Sequence, residues 1–326
     1  APLREVAENL LVYRPQYPYL PGNLKWRGAS WTNGSLYRAE IKALLERVGW
    51  QRPWLWAFFA QNLSVLELPF SCFVYDCVDD WPSFFPDARE RRYVEEVDEA
   101  LCRRADLVFA GSAPLAEKKQ SLNPRIYVVN HAADISHFTT ACNQETIIPA
   151  DLERIPHPRI GFVGMVDNVR FDATLIERIA DNPAHHVVII GGFMGDAEMR
   201  IAQRPNIHKL GMKKVTELPA YLKGLDVCTM PYRLNEATRN IFPLKLYEYM
   251  ATGKPIVATP IPAVQGLEAV VYVAHDALEF QQMVGAALME SSYEMTARRL
   301  QHASGHTWEA HMEQKRQIIL KQLLAA

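Results

Sequence analysis

Short apolar runs bounded by turn residues alternate along this chain with longer stretches whose charges recur at helical spacing. In the first half, FSCFVY from Phe70 to Tyr75 reads as a buried strand and Ala88 to Arg103 as a helix charged along one side. DLVFA from Asp106 to Ala110 and the run from Arg125 to Val129 read as further strands, and a helix from about Ser35 to Val48 precedes them all. A second series begins with RIGFVG from Arg159 and a helix from Asp172. HHVVIIGG from His185, NIHKLG from Asn206, a helix from Thr216 and VCTMPY from Val227 continue it. After these come a helix over Pro243 to Ala251, the strands PIVAT from Pro255 and VVYVA from Val270, and a helical tail from Ala277 that breaks near Ser304 and Gly305. Strands alternating with helices of about ten to fifteen residues predict βαβ units and parallel sheets. Between Ala141 and Pro158 the pattern lapses into polar, Pro-rich sequence ending IPHP, where an interdomain linker is expected. Two doubly wound domains in tandem, over 1–150 and 156–300, predict a cleft at the carboxyl ends of their strands.

One stretch concentrates chemistry. From Pro231 to Pro262 the order is strand end, polar loop, a helix carrying Lys245 and Glu248, a Gly turn and a short apolar strand. Pro243 is expected in the first helical turn, where its missing N–H costs nothing. The exposed backbone N–H groups there, with Lys245 close by, favour phosphate. Glu248 follows Lys245 at i+3, so both project from one side of the helix; a carboxylate there suits the paired hydroxyls of a ribose. The bland alternative is an exposed Lys–Glu pair contributing a few tenths of a kcal/mol.

Composition narrows the reading. At 326 residues the chain exceeds the usual single core. Lys and Arg number 35 against 37 Asp and Glu, so the net charge of -2 argues against a nucleic-acid partner. Five scattered cysteines (Cys72, Cys77, Cys102, Cys142 and Cys228) form no CxxC pair, which argues against a disulfide framework or zinc site and for a reducing cytoplasm. The apolar run WLWAFFA, Trp54 to Ala60, is too short to cross a bilayer, and no signal peptide is present. Residues 1 to 50 mix an excess of Lys and Arg with Tyr13, Tyr17, Tyr19, Trp26 and Trp31. That mixture suits peripheral contact with the inner membrane face, or simply an irregular solvated segment. Starting at Ala1 rather than Met, the sequence reads as trimmed or as a fragment.

The stretch PLKLYEYMATGKPIVATPIP resembles the donor-binding domain of GT-B glycosyltransferases, particularly bacterial enzymes of surface-polysaccharide synthesis such as the teichuronic-acid type. Further similarity lies in RIGFVGMVDNVRFDATLIERIA, LPAYLKGLDVCTMPYRLNEATRNIFPLK, FVYDCVDDWPSF, ADLVFAGSAPL and HAADISHF. The resemblance implies a GT-B fold of two Rossmann-like domains: an acceptor domain over 1–150 that lacks its first strand and Gly-rich turn, a nucleotide-sugar domain over 156–300, and a helix over 301–326 packing back across them. It implies transfer of a hexose-type sugar from a nucleotide diphosphate sugar, a UDP-sugar above all, to a glycan or lipid-linked acceptor. No further cofactor is expected.

Carried over by position, Glu248 would hold the donor ribose, and Asn240 stands where relatives have an acidic partner, so it would meet the sugar without charge. Lys245 and Arg170 would bind the diphosphate, with the Gly161 to Gly164 turn letting the backbone approach. Arg170 stands in for a Lys-Gly pair that is replaced here by VDNVRFD. Thr238 and Arg239 would close over the sugar. Many retaining relatives have a His after the Phe73 to Tyr75 strand, but this chain reads DCVDD. Asp79 and Asp80 there are candidate general bases for an acceptor hydroxyl, with N-capping or loop solvation as the alternative. A base at Asp79 is compatible with inversion.

Other motifs are weaker. His302, His306 and His311 lack the carboxylate of a zinc helix and read as packing in the terminal helix. GGFMG at Gly191 departs from GxGxxG and follows the second strand of its domain, against a nicotinamide site. Asp76, Asp79 and Asp80 resemble a metal-binding cluster, but a phosphate held by cations and a helix dipole needs no metal. Alternative functions are a sugar-nucleotide epimerase or phosphorylase on the same fold, or a noncatalytic nucleotide-sugar-binding scaffold.

Overall fold

The computed structural model describes residues 3–16, 20, 27–59, 63–199 and 201–324. Its contacts divide the chain into two units, Ala1–Val129 with Ile319–Ala326, and Asn130–Ile318. Tyr17, Tyr19, Lys25 and Trp26, four of the residues expected at a membrane or solvated surface, lie outside the described residues.

The first unit opens with an antiparallel hairpin, β1 (Leu3–Ala7) and β2 (Leu10–Tyr13), where the sequence predicted irregular chain. Asn9 takes a φ of 60° in its turn, a conformation Asn tolerates better than most residues. Helix α1 (Arg27–Arg47) starts well before Ser35. A parallel sheet follows, built from β3 (Trp54–Ala57), β4 (Cys72–Cys77), β5 (Leu107–Ala110) and β6 (Ile126–Val128) in that spatial order. β3 is formed from the apolar run that is too short for a membrane span. Helix α2 (Ala88–Arg104) begins where the Asp87 carboxylate accepts from the N–H groups of Arg89 and Glu90, a cap that satisfies otherwise orphaned donors. It buries Val94, Val97, Leu101 and Cys102 at helical spacing. Ser112 caps α3 (Ala113–Lys119) in the same way. The core holds a charged pair: Asp98 of α2 accepts from the Tyr75 hydroxyl of β4 and from the Lys119 ammonium of α3.

The second unit carries α4 (Ile135–Thr139), α5 (Ala150–Glu153), β7 (Arg159–Val163), α6 (Ala173–Ala180), β8 (His186–Ile190), β9 (Ile207–Gly211) and α7 (Leu218–Lys223). β10 (Val227–Met230), α8 (Glu236–Arg239), α9 (Lys245–Met250), β11 (Ile256–Ala258), β12 (Tyr272–Val273), α10 (Ala277–Leu288) and α11 (Tyr293–Ser304) complete it, with α12 (Trp308–Ile319) reaching its end. All six strands run parallel in the order β12-β11-β10-β7-β8-β9. The chain winds one way from β7 to β9 and the other way from β10 to β12. The reversal falls between β7 and β10, where an open α/β sheet leaves a crevice for ligands.

Residues 141–158, expected as a linker, belong to this second unit. The Lys223 ammonium donates to the carbonyls of Asn143, Gln144 and Thr146 at 2.7, 3.0 and 2.7 Å, and Asp151 accepts from Lys213 and the Tyr221 hydroxyl. The polar run is thereby bound to α7, and the division falls upstream at Val129. Behind the sheet, Arg299 is wholly buried and holds Glu290 through two bonds of 2.6 Å.

Candidate functional site

The loops after β7 and β10 meet at the reversal. Gly164 follows β7 with a φ of 144°, and Gly191, after β8, has a φ of 152°. A Cβ on Gly191 would overlap the Gly164 carbonyl oxygen, so both positions require glycine. Gly161, expected in this turn, instead lies inside β7, where a Cβ would overlap Leu225. Beyond Gly164, one Asp167 oxygen accepts from the N–H groups of Val169 and Arg170 and turns the loop. Phe171 then packs edge-on against Phe162, ring centroids 4.8 Å apart.

The loop after β10 is tied to this one throughout. Tyr232 bridges Phe171, the Arg233 N–H donates to the Arg170 carbonyl at 2.8 Å, and the Asn235 side chain donates to the Val169 carbonyl at 2.7 Å. Asn235 also caps α8 by accepting from the Thr238 N–H.

Lys245 enters from α9. Its ammonium donates to the Tyr232 hydroxyl at 2.9 Å and sits 5.1 Å from the centre of the Phe162 ring and 5.4 Å from that of Tyr232. A Cβ on Gly164 would stand 3.2 Å from the ammonium nitrogen, so only glycine leaves this face open. No carboxylate pairs with Lys245 among the described residues. Glu248, one turn on, is partly buried and accepts no hydrogen bond among the described residues. Burial raises its pKa above the ordinary glutamate value, while Lys245 and His137 pull it back. His137, on α4, has its Nε2 2.9 Å from the Val215 carbonyl oxygen. Next to Glu248, Tyr247 lies flat against His306 at 4.0 Å between ring centres. His306 contacts His311 at 3.1 Å, and His311 contacts the Asn130 carbonyl at 2.7 Å, so two of the three terminal histidines brace α9. Burial lowers the His306 pKa.

The other expected donor residues fall less simply. Arg170 lies in the β7 loop, but its guanidinium is already engaged by Asp167 at 2.7 and 2.8 Å. Asn240 is buried at the end of α8. Thr238 is wholly buried and donates its hydroxyl to the Arg233 carbonyl, so it shapes the loop and cannot close over a sugar. Arg239 is exposed and, with Leu234 and Pro260–Pro262, lines a cavity of about 490 Å³. Pro243 precedes α9: its carbonyl accepts from Leu246, the helix starts at Lys245, and six residues make too short a helix for the expected dipole at Pro243.

In the first unit, Asp80 has no exposed surface and pairs with the Lys118 ammonium at 2.8 Å, which removes it from any acceptor hydroxyl. Asp76 is buried and accepts from the Trp56 indole at 3.1 Å. Asp79 is the member of this trio that is partly exposed. Among the described residues no group of three or more His, Cys, Asp or Glu is placed to hold a metal.

Sequence reasoning passed over Phe162, Asp167, His137 and Tyr232. Only the aromatic that directly follows Pro231 at the end of β10 carried a local signal.

Comparison with known proteins bears on the family and the fold. Residues 157–289 match the family of glycosyl transferases group 1. A putative teichuronic acid biosynthesis glycosyltransferase of Bacillus subtilis, TuaH, is 24% identical over 209 residues, covering 60% of this chain and 52% of that protein. A D-inositol 3-phosphate glycosyltransferase of Corynebacterium urealyticum is 28% identical over 253 residues, covering 68% of this chain and 58% of that one. The chain thus spans a little over half the length of these relatives. Among solved structures, sucrose-phosphate synthase from Thermosynechococcus elongatus superposes with a TM-score of 0.71 at 17% identity, covering 100% of this chain and 86% of that one. Anabaena HepE in complex with UDP and glucose gives 0.59 at 17% identity, covering 77% and 72%. The fold is GT-B, and residues 157–289 are a group 1 glycosyltransferase domain.

Proposed function

We propose that this chain, whose residues 157–289 form a group 1 glycosyltransferase domain, moves a hexose-type sugar from a nucleotide diphosphate sugar to a hydroxyl of a glycan or lipid-linked acceptor in cell-surface polysaccharide synthesis. The observation that carries the reading is the Lys245 ammonium, held between the Phe162 ring and the Tyr232 hydroxyl beside a glycine, with no carboxylate in salt-bridge contact among the described residues. A cation so arranged needs an anion, and the departing diphosphate is one. Fixed charge aimed at a leaving group stabilises the transition state without reorganisation at the moment of reaction. Glu248, lacking a hydrogen-bond partner, supplies an acceptor for ribose hydroxyls.

A UDP-sugar is the donor we favour, supported by the UDP complexes of HepE. Asp79 in the first unit is the candidate base for the acceptor hydroxyl, because it is partly exposed while Asp80 is buried. Asn240 and Arg239 are our candidates for the sugar side; Arg170 would reach the diphosphate only by giving up its pairing with Asp167. Five free cysteines support a reducing cytoplasm. Exposed Trp31, Trp50, Trp54 and Phe58 in the first unit support peripheral contact with the inner membrane face. No described helix is long and apolar enough to cross a membrane.

The test is a thermal-shift and calorimetry screen of nucleotide diphosphates, followed by hydrolysis of the matching nucleotide sugar. Binding of one diphosphate with slow release of its sugar is expected. A protein that binds none of UDP, GDP or ADP would refute the assignment, and binding without hydrolysis or transfer would favour a scaffold.

A further inference from the structure

Lys245 is long and flexible, yet its ammonium is held from two sides. Phe162 presents its ring, and the Tyr232 oxygen accepts one of its three N–H bonds. Tyr232 is itself anchored. It is 7% exposed, its backbone N–H lies 3.2 Å from the Thr259 hydroxyl and 3.0 Å from the Met230 carbonyl, and it bridges Phe171. The hydroxyl meets no other partner among the described residues.

A buried phenol whose one polar contact is an ammonium without a carboxylate does little for the core that phenylalanine would not do. Its oxygen is useful for what it holds. A free lysine side chain gives up considerable rotamer freedom when it binds a phosphate. Here that freedom is already removed, and the remaining two N–H bonds are free to point past Gly164, where no Cβ stands in the way.

We propose that Tyr232 is the positioning residue of the anion site, acting through Lys245: its hydroxyl holds the ammonium where a diphosphate oxygen must meet it. This rests on the donor-binding reading above and names the part of the loop after β10 on which that reading depends.

The test is a double-mutant cycle on the full chain, with calorimetric titration of UDP and of inorganic pyrophosphate and with thermal unfolding as a control. Tyr232→Phe keeps the ring and removes the oxygen. It is expected to weaken both ligands about tenfold, the worth of one hydrogen bond to a charged group, with the melting temperature nearly unchanged. In a Lys245→Met background the same change is expected to have less than about a twofold effect, because a residue acting through Lys245 has nothing left to position. Unchanged affinity of Tyr232→Phe, alongside a loss in Lys245→Met, would overturn this inference and leave the donor site standing. An equal loss in both backgrounds would overturn it as well, since the phenol would then act directly or through the fold. A wild-type protein that binds neither UDP nor pyrophosphate would bring down the donor reading and this one together.

Discussion

Replacing Lys245 by Met removes the charge while keeping a long apolar stem against Phe162. A unit charge about 4 Å from an anion at an effective dielectric of about 20 is worth up to about 4 kcal/mol before desolvation. A hydrogen bond to a charged group contributes about 1.5–3 kcal/mol net. Because the ammonium is pre-held and has no carboxylate to leave, the loss belongs in the upper part of that range, about 2–3 kcal/mol. The dissociation constant for UDP should therefore rise about 30- to 150-fold. Stability should fall by about 1 kcal/mol: the buried Tyr232 hydroxyl loses its partner, and the contacts of the Met sulfur with aromatic rings offset part of that loss. Isothermal calorimetry at one fixed ionic strength, paired with a melting curve, measures both quantities. A folded Lys245→Met protein that binds UDP within twofold of wild type would show that the caged ammonium is not the phosphate contact.

Other expectations follow from the same geometry. Burial raises the Glu248 pKa, so the folded protein binds that proton more tightly than the unfolded chain. Its contribution to stability is present below the ordinary glutamate pKa and fades as pH rises through the raised one, whereas nucleotide affinity should grow over the same window as the carboxylate forms. Glu248→Gln should flatten both trends in pH-dependent melting and titration. Asp79→Asn should cut transfer by about 10²–10⁴ with UDP binding unchanged, as for loss of a general base, and unchanged turnover would remove Asp79 from that role. Asp80→Asn should instead appear first as a lower melting temperature, since it uncouples the Lys118 pair. Arg299→Ala leaves Glu290 charged and unpaired inside the second unit and should cost about 3–5 kcal/mol in denaturant unfolding.

The helices and strands of both units were largely legible because each is written in neighbouring residues. The apolar repeat of α2, the Asp172 cap of α6 and the run HVVII of β8 are local signals that need no partner to be recognised. The Lys245–Glu248 spacing is of the same kind: one helix turn puts both on one side in any fold that keeps the helix. Boundaries were less legible. Whether residues 141–158 bridge two domains or lie against one depended on Lys223, far along the chain, finding their carbonyls.

The chain order therefore determined the α/β class and the second doubly wound sheet, and pointed to the stretch proposed to hold the ligand, since periodicity and resemblance both reside in contiguous sequence. What a given side chain is free to do was decided only by tertiary structure. Asp79 and Asp80 are adjacent and chemically identical, but Asp80 is buried against Lys118 of α3 while Asp79 is partly exposed. Thr238 looked available until its hydroxyl met the Arg233 carbonyl, and Arg170 until Asp167 took its guanidinium. Tyr232 gained its proposed role only when the fold brought the Lys245 ammonium to its hydroxyl. Availability depends on which charges and hydrogen-bonding groups lie within a few ångströms, and those neighbours come from elements the sequence keeps apart.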